Sequence, residues 1–186
     1  MTSFDSTAPL SRREFVTVAA LTVIACKRGE AAGNGHVDDV VIVQFSDSGA
    51  AQGRVRVPKV VKSDADWRKQ LSPLAFWVAR KGGTERPFSG EYWNLHAQGL
   101  FRCVCCDTAL FSSAAKFDSG TGWPSYWEPI AEENVVHGAP SSGFTNSEVK
   151  CRRCDAHLGD LFDDGPKPTG LRYCIDSVSL RFVKFA

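Results

Sequence analysis

The chain carries no excess of either charge, and that absence removes the first class of function. Its 22 lysines and arginines stand against 21 aspartates and glutamates, for a formal net charge of +1, with both signs mixed along the length. There is no basic stripe to track a phosphate backbone, so nucleic acid is not an expected partner. Repeats and low-complexity tracts are also missing. At 186 residues the chain suffices for one domain with a real core, or at most two small ones. The apolar run near the start, Phe15–Ala25, has 11 residues, too few for a bilayer-spanning helix of about 20. The seven cysteines are odd in number, which argues against a module framed purely by disulfides.

What is present is a division of thiols by job. Cys103/Cys106 and Cys151/Cys154 form two Cys-x-x-Cys pairs with 44 residues between them. Two facing turns of this kind complete a closed shell of four sulfurs around one tetrahedral Zn²⁺. Such a shell has no open position, so the expected metal is structural and pins two distant loops of a sheet together. Disulfides or unrelated buried thiols are the competing explanation. Cys105 lies between two ligands; it is either a small buried thiol or a redox partner for another cysteine. Cys174 stands alone in Arg172-Tyr173-Cys174-Ile175-Asp176, unligated and available to react.

The first 26 residues read as a targeting segment rather than fold. Arg12-Arg13 directly precedes Phe15–Ala25, the pattern of a twin-arginine export signal; a buried or amphipathic N-terminal helix is the alternative. Val23-Ile24-Ala25-Cys26 is similar to a bacterial lipobox, in which Cys26 would carry a lipid anchor. The expected location is therefore outside the cytoplasm, in the periplasm or at the cell surface. Residues 27–61 read as linker and peripheral segment, with strand-like stretches at Val40–Phe45 and Arg54–Val61.

Residues 62–186 form the expected folded domain. Ser63 with Asp66 marks one short helix, and Ser72-Pro73 opens a second. In that helix Leu74, Trp77, Val78 and Lys81 share a face, and Gly82-Gly83 ends it. From Thr84 onward short apolar segments alternate with turn residues. The predicted strands are Leu100–Val104, Ala109–Phe111, Trp127–Ile130, Glu148–Arg152, Leu158–Phe162, Leu171–Ile175 and Val178–Val183, which together make an antiparallel, mainly β domain.

Four segments then line up with the cysteine pairs: Gly83–Gly90, Asp118–Ser125 with its Gly-Trp-Pro-Ser, Cys154–Asp160, and Asp164-Gly165-Pro166 through Gly170–Ser177. In this order, from about Lys62 to Val183, they resemble the B-type methionine sulfoxide reductases, which act on the R epimer of methionine sulfoxide in proteins. The resemblance implies two antiparallel sheets with a few short helices at one end. It implies Cys174 as the nucleophile and Cys103, Cys106, Cys151 and Cys154 as zinc ligands. Trp123 would line the substrate methyl pocket, and His157 would sit beside the sulfoxide.

The chemistry agrees with those roles. A sulfoxide yields to a thiolate when its oxygen is protonated during attack, which calls for a thiolate, a proton donor and an apolar wall. Cys174, His157 and Trp123 supply one each, and Cys174 would end as a sulfenic acid. Arg172 either raises the thiolate fraction or shares the face of Cys174 merely by strand alternation. The chain departs from the family pattern at three positions. Asp160 stands where many members have a second histidine, and Asp176 where many have asparagine. A carboxylate near Cys174 raises its pKa by repulsion, so these acids either hold protons or orient His157. Asp160 is the expected donor or orienter, and Asp176 an expected substrate contact. Thr121 stands where many members carry a resolving cysteine. An external, thioredoxin-like thiol is therefore the expected reductant, with Cys105 as the alternative. A non-catalytic zinc-stapled peptide-binding module and a cysteine hydrolase are the rival functions.

Overall fold

A computed structural model describes residues 38–140 and 147–185. The paired arginines, the apolar run Phe15–Ala25 and Cys26 lie outside the described residues. Among the described residues, no helix is long and apolar enough to cross a membrane.

Both helices begin at the serines expected to cap them. The Ser63 hydroxyl accepts from the Asp66 N–H to start α1, Asp64–Gln70, and the Ser72 hydroxyl accepts from the Ala75 N–H to start α2, Pro73–Lys81. Gly82 ends α2 at φ 68°, its N–H reaching the Trp77 and Val78 carbonyls. The buried face of α2 is Ala75, Phe76, Val78 and Ala79, while Leu74 and Trp77 are 45% and 50% exposed. Residues 74–79 are all apolar, so periodicity alone could not choose the face. Trp77 instead covers Gly83, where a Cβ would lie 2.5 Å from its ring.

Among the described residues, eleven strands pair antiparallel, as expected. A hairpin of β1 (Asp39–Phe45) and β2 (Ala51–Pro58) stands by itself. A three-stranded sheet has the order β11-β3-β4, with β3 Gly99–Cys103, β4 Ala109–Ser112 and β11 Leu180–Lys184. A six-stranded sheet has the order β5-β6-β10-β9-β8-β7, built from Lys116–Phe117, Ser125–Tyr126, Arg172–Ile175, His157–Phe162, Ser147–Cys151 and Val135–Pro140 in that spatial order. The two larger sheets are those the resemblance implied, and the hairpin realises the two peripheral strands.

The sheets meet through aromatic side chains. Phe111 of β4 stacks on Tyr126 of β6 at 4.4 Å, and Phe101 of β3 meets Tyr126 edge-on at 5.2 Å. All three are fully buried, and truncating one such ring to alanine costs about 3–5 kcal/mol. The hairpin is tied on through Asn134, whose carbonyl oxygen accepts from the Val43 N–H at 2.8 Å. Its amide donates to Val43 O and Ala109 O.

One predicted strand does not form, and Lys116–Phe117, Ser125–Tyr126 and Val135–Pro140 are strands beyond those expected. Trp127–Ile130 is not a strand: Pro129 has no N–H for a ladder, and the segment bonds irregularly, with Trp127 N–H to Ala115 O and Ile130 N–H to Leu110 O. Val135–Pro140 is a strand although it contains Gly138 and Pro140. It forms one edge of the large sheet, where a missing N–H is tolerated.

Candidate active site and metal centre

The two Cys-x-x-Cys pairs fold as copies of one turn. Cys103 closes β3 and Cys151 closes β8, so the pairs belong to different sheets. The Asp107 N–H bonds to Cys103 O and the Asp155 N–H to Cys151 O, both at 2.9 Å, with Asp107 and Asp155 at φ 64° and 55°. The sulfurs of Cys103, Cys106, Cys151 and Cys154 all lie within 4.8 Å of one another. Cys103–Cys154 and Cys106–Cys151 are 3.6 and 3.5 Å apart, and none is in a disulfide. A tetrahedron with ~2.3 Å arms has edges of ~3.8 Å, so the cage fits one four-coordinate metal ion. It joins the two sheets, rather than two loops of one sheet as the spacing had implied. Cys105 is buried against the Cys103 and Cys154 sulfurs and is not part of the cavity described next.

That cavity, about 130 Å³, is lined by Thr84, Trp123, Gly159, Asp160, Phe162, Cys174 and Asp176. Cys174 lies on β10 between β6 and β9, facing Ser125 on one side and Asp160 on the other. Asp160 in turn pairs with Glu148 of β8. Tyr173 and Ile175 alternate into the core, which leaves Arg172 and Cys174 on the cavity side. Gly159 makes the close approach of β9 possible: a Cβ there would lie 2.0 Å from Cys174 O, and φ is +149°. Trp123 and Phe162 give the cavity its apolar wall, and the Trp123 indole is fixed by its N–H to Glu85 O at 3.2 Å.

The electrostatics pull Cys174 in both directions. Burial pushes the thiol pKa up; Arg172 and the Thr121 hydroxyl pull it down, and Asp176 pushes it up again. Arg172 is clamped by Asp164 through two bonds, 2.7 and 2.9 Å, and lies over the Phe162 ring at 4.2 Å. Strand alternation thus places a fixed cation beside the nucleophile. The Thr121 hydroxyl is 4.0 Å from the Cys174 sulfur, and a threonine there cannot form a disulfide.

His157 stands next to Asp176 at the cavity's edge. It does not line the cavity: its Nδ1 is 2.8 Å from Glu148 Oε1 and its Nε2 is 3.8 Å from Asp176 Oδ2. One carboxylate separates it from the substrate space. Asp160 and Asp176 both line the cavity. Burial pushes the Asp176 carboxyl up to about 7; the Glu85 N–H opposes this, and the Glu85 and Asp160 charges add to it. For Glu148, burial alone would raise the pKa, but Lys150 and His157 together hold it below the usual range.

Glu85 is the organising residue the sequence did not reveal. It is 3% exposed, and its carboxylate accepts from the Ser177 and Val178 N–H groups at 2.7 and 3.1 Å. These groups begin the 3-10 turn after Cys174-Ile175-Asp176. Its own N–H donates to Asp176 Oδ1 at 2.8 Å, and its carbonyl holds Trp123. The partners are 38 to 93 residues away in sequence, beyond any local pattern.

Residues 71–184 match the SelR domain family model. The chain belongs to that family. It is 53% identical over 126 residues to a peptide methionine sulfoxide reductase MsrB of Agrobacterium fabrum, an alignment covering 67% of this chain and 93% of that protein. It is 56% identical over 122 residues to the protein of the same name in Thioalkalivibrio sulfidiphilus, covering 64% and 88%. It is also 54% identical over 123 residues to a chloroplastic peptide methionine sulfoxide reductase B1 of Oryza sativa subsp. japonica, covering 66% and 58%. The resemblance read from the motifs is thereby borne out. The SelR match spans the four-sulfur cage and the cavity with Cys174, while the β1–β2 hairpin precedes it.

Proposed function

We propose that the protein is a peptide-methionine (R)-sulfoxide reductase whose nucleophile is Cys174. One observation carries this reading: four of the described thiols form a closed cage, and a fifth, Cys174, lies unligated on an apolar cavity between Trp123 and acidic groups. Trp123 and Phe162 receive the substrate's methyl end. Arg172 favours the thiolate as it forms. The Cys174 sulfur takes the oxygen, becoming a sulfenic acid, and methionine leaves.

Regeneration by an external thioredoxin-like thiol fits the geometry better than resolution by Cys105, which is buried at the cage. Cys103, Cys106, Cys151 and Cys154 would hold a structural Zn²⁺, whose contribution is to lock the two sheets together. The physiological substrates are oxidised proteins. From Arg12-Arg13 and the run that follows, the protein is proposed to act after export, with Cys26 as a candidate lipid anchor. Cell fractionation that finds it wholly cytosolic with an intact N-terminus overturns that part.

The test is stereochemical. Peptides carrying either sulfoxide epimer are incubated with the protein and a small dithiol, and methionine is quantified. Release from the R epimer alone, abolished in Cys174→Ser, is expected. Release from the S epimer, or undiminished release by Cys174→Ser, refutes the proposal.

A further inference from the structure

We propose that Asp176 is a catalytic residue: it takes the proton of the Cys174 thiol and delivers it to the sulfoxide oxygen, while His157 and Glu148 act as positioning residues behind it. The inference rests on the reductase reading above and names the proton carrier that reading requires.

The geometry marks Asp176 in three ways. It lines the same cavity as Cys174, two residues further along the chain, and is only 2% exposed. Its Oδ1 is committed to the Glu85 N–H at 2.8 Å, which leaves Oδ2 as the oxygen that can carry a proton. Oδ2 lies 3.8 Å from His157 Nε2, too long for a hydrogen bond, and His157 is held from its far side by Glu148 at 2.8 Å. The imidazole therefore steadies the carboxyl without tying up its proton.

The charged and titratable groups around Asp176 are Glu85 from the loop after α2, His157 and Asp160 from β9, and Cys174 from β10. Burial, with the Glu85 and Asp160 charges, brings the carboxyl to about 7, near where proton transfer in both directions is efficient at neutral pH. The thiol is raised by burial and stays protonated in the resting site. It therefore needs a nearby acceptor before it can attack.

The step balances without an outside acid. The Cys174 S–H bond breaks and its proton moves to Asp176 Oδ2. The substrate S–O bond breaks as an S–O bond forms at Cys174, with two electrons passing from the Cys174 sulfur to the substrate sulfur. The oxygen takes the proton from Asp176. The products are sulfenic acid, methionine and the starting carboxylate.

The pH dependence follows from one proton shared by two groups. With both protonated, the site is idle; losing one proton activates it. The wild-type single-turnover rate is therefore expected to rise with pH through an inflection near 7. In Asp176→Asn, which still accepts the Glu85 N–H, the thiol must ionise unaided. The inflection moves up to the thiol's own ionisation, and the rate at pH 7 falls on the order of 100-fold, with substrate affinity changed only a few-fold. His157→Gln is expected to shift the inflection without removing it.

The experiment is single-turnover methionine release from an R-sulfoxide peptide between about pH 5 and 10. It uses the wild type, Asp176→Asn, Asp160→Asn and His157→Gln, with metal content and circular dichroism as folding controls. Retention of the inflection and rate in Asp176→Asn overturns the proposal. So does their loss in Asp160→Asn alone, since the proton would then belong to Asp160. Should Asp176→Asn not fold, carbon-13 NMR of the wild-type carboxyls decides: titration of Asp176 in the ordinary range near ~4 overturns the proposal, and titration near neutrality supports it. A wild type that releases no methionine sinks the reductase reading itself, and the carbon-13 titration still reads the carboxyl independently.

Discussion

Replacing Glu85 by alanine tests whether one buried carboxylate holds the site together. The substitution removes two acceptors at once. The Ser177 N–H, in a fully buried residue, loses a 2.7 Å bond to a carboxylate; the Val178 N–H, in a half-buried one, loses a 3.1 Å bond. A buried donor left unpaired costs about 1–3 kcal/mol, and the second donor, nearer water, costs less. Removing a carboxylate from a dry site returns part of this. The net loss works out at about 2 kcal/mol, a sizeable share of a typical domain's roughly 5–15 kcal/mol. Denaturant unfolding at constant metal content should show the midpoint falling with an unchanged slope. Glu85→Gln keeps one acceptor oxygen and should lose about half as much. The single-turnover rate should fall as well, because Trp123 and Asp176 both hang from the main chain of residue 85. A stability loss below ~1 kcal/mol in Glu85→Ala refutes the reasoning.

Three further outcomes are expected. Arg172→Leu removes the cation that lowers the Cys174 pKa, so alkylation of Cys174 by iodoacetamide at neutral pH should slow several-fold; an unchanged rate would mean that Arg172 only packs on Phe162. Thr121→Cys places a thiol where a hydroxyl now lies 4.0 Å from the Cys174 sulfur, and one equivalent of sulfoxide should then convert both thiols to a disulfide, detected by thiol counting before and after. Cys151→Ser opens the four-sulfur cage that joins the sheets, so metal content should drop and unfolding should begin at lower temperature; full metal retention with unchanged melting contradicts a load-carrying metal.

Local physical signals made the scaffold legible. Ser63, Ser72-Pro73 and Gly82 fixed both helices because caps act within one turn. The matched spacing of Cys103/Cys106 and Cys151/Cys154 fixed the metal cage because the two turns are the same turn. Misreadings arose where local pattern was silent or misleading. Residues 74–79 are apolar on every side, so the buried face of α2 was decided by what packs on it. Pro129 excludes the predicted strand Trp127–Ile130, whereas Pro140 is tolerated in Val135–Pro140, an edge strand the local pattern did not predict. In the site, Cys174, Trp123, Asp160 and Asp176 come together on one cavity. His157 lies next to Asp176 and is bonded to Glu148, a partner nine residues away on a neighbouring strand that no local pattern pointed to. Glu85 and Glu148 passed as ordinary loop and strand charges, since their importance lies in contacts across the fold.

The most direct measurement is the chemical state of Cys174 after wild-type protein meets an R-sulfoxide peptide with no reductant present, in the presence of a sulfenic-acid trap. The account predicts one trapped adduct at Cys174, in proportion to methionine released, with the four cage cysteines untouched. Methionine released while Cys174 remains an unmodified thiol would contradict it.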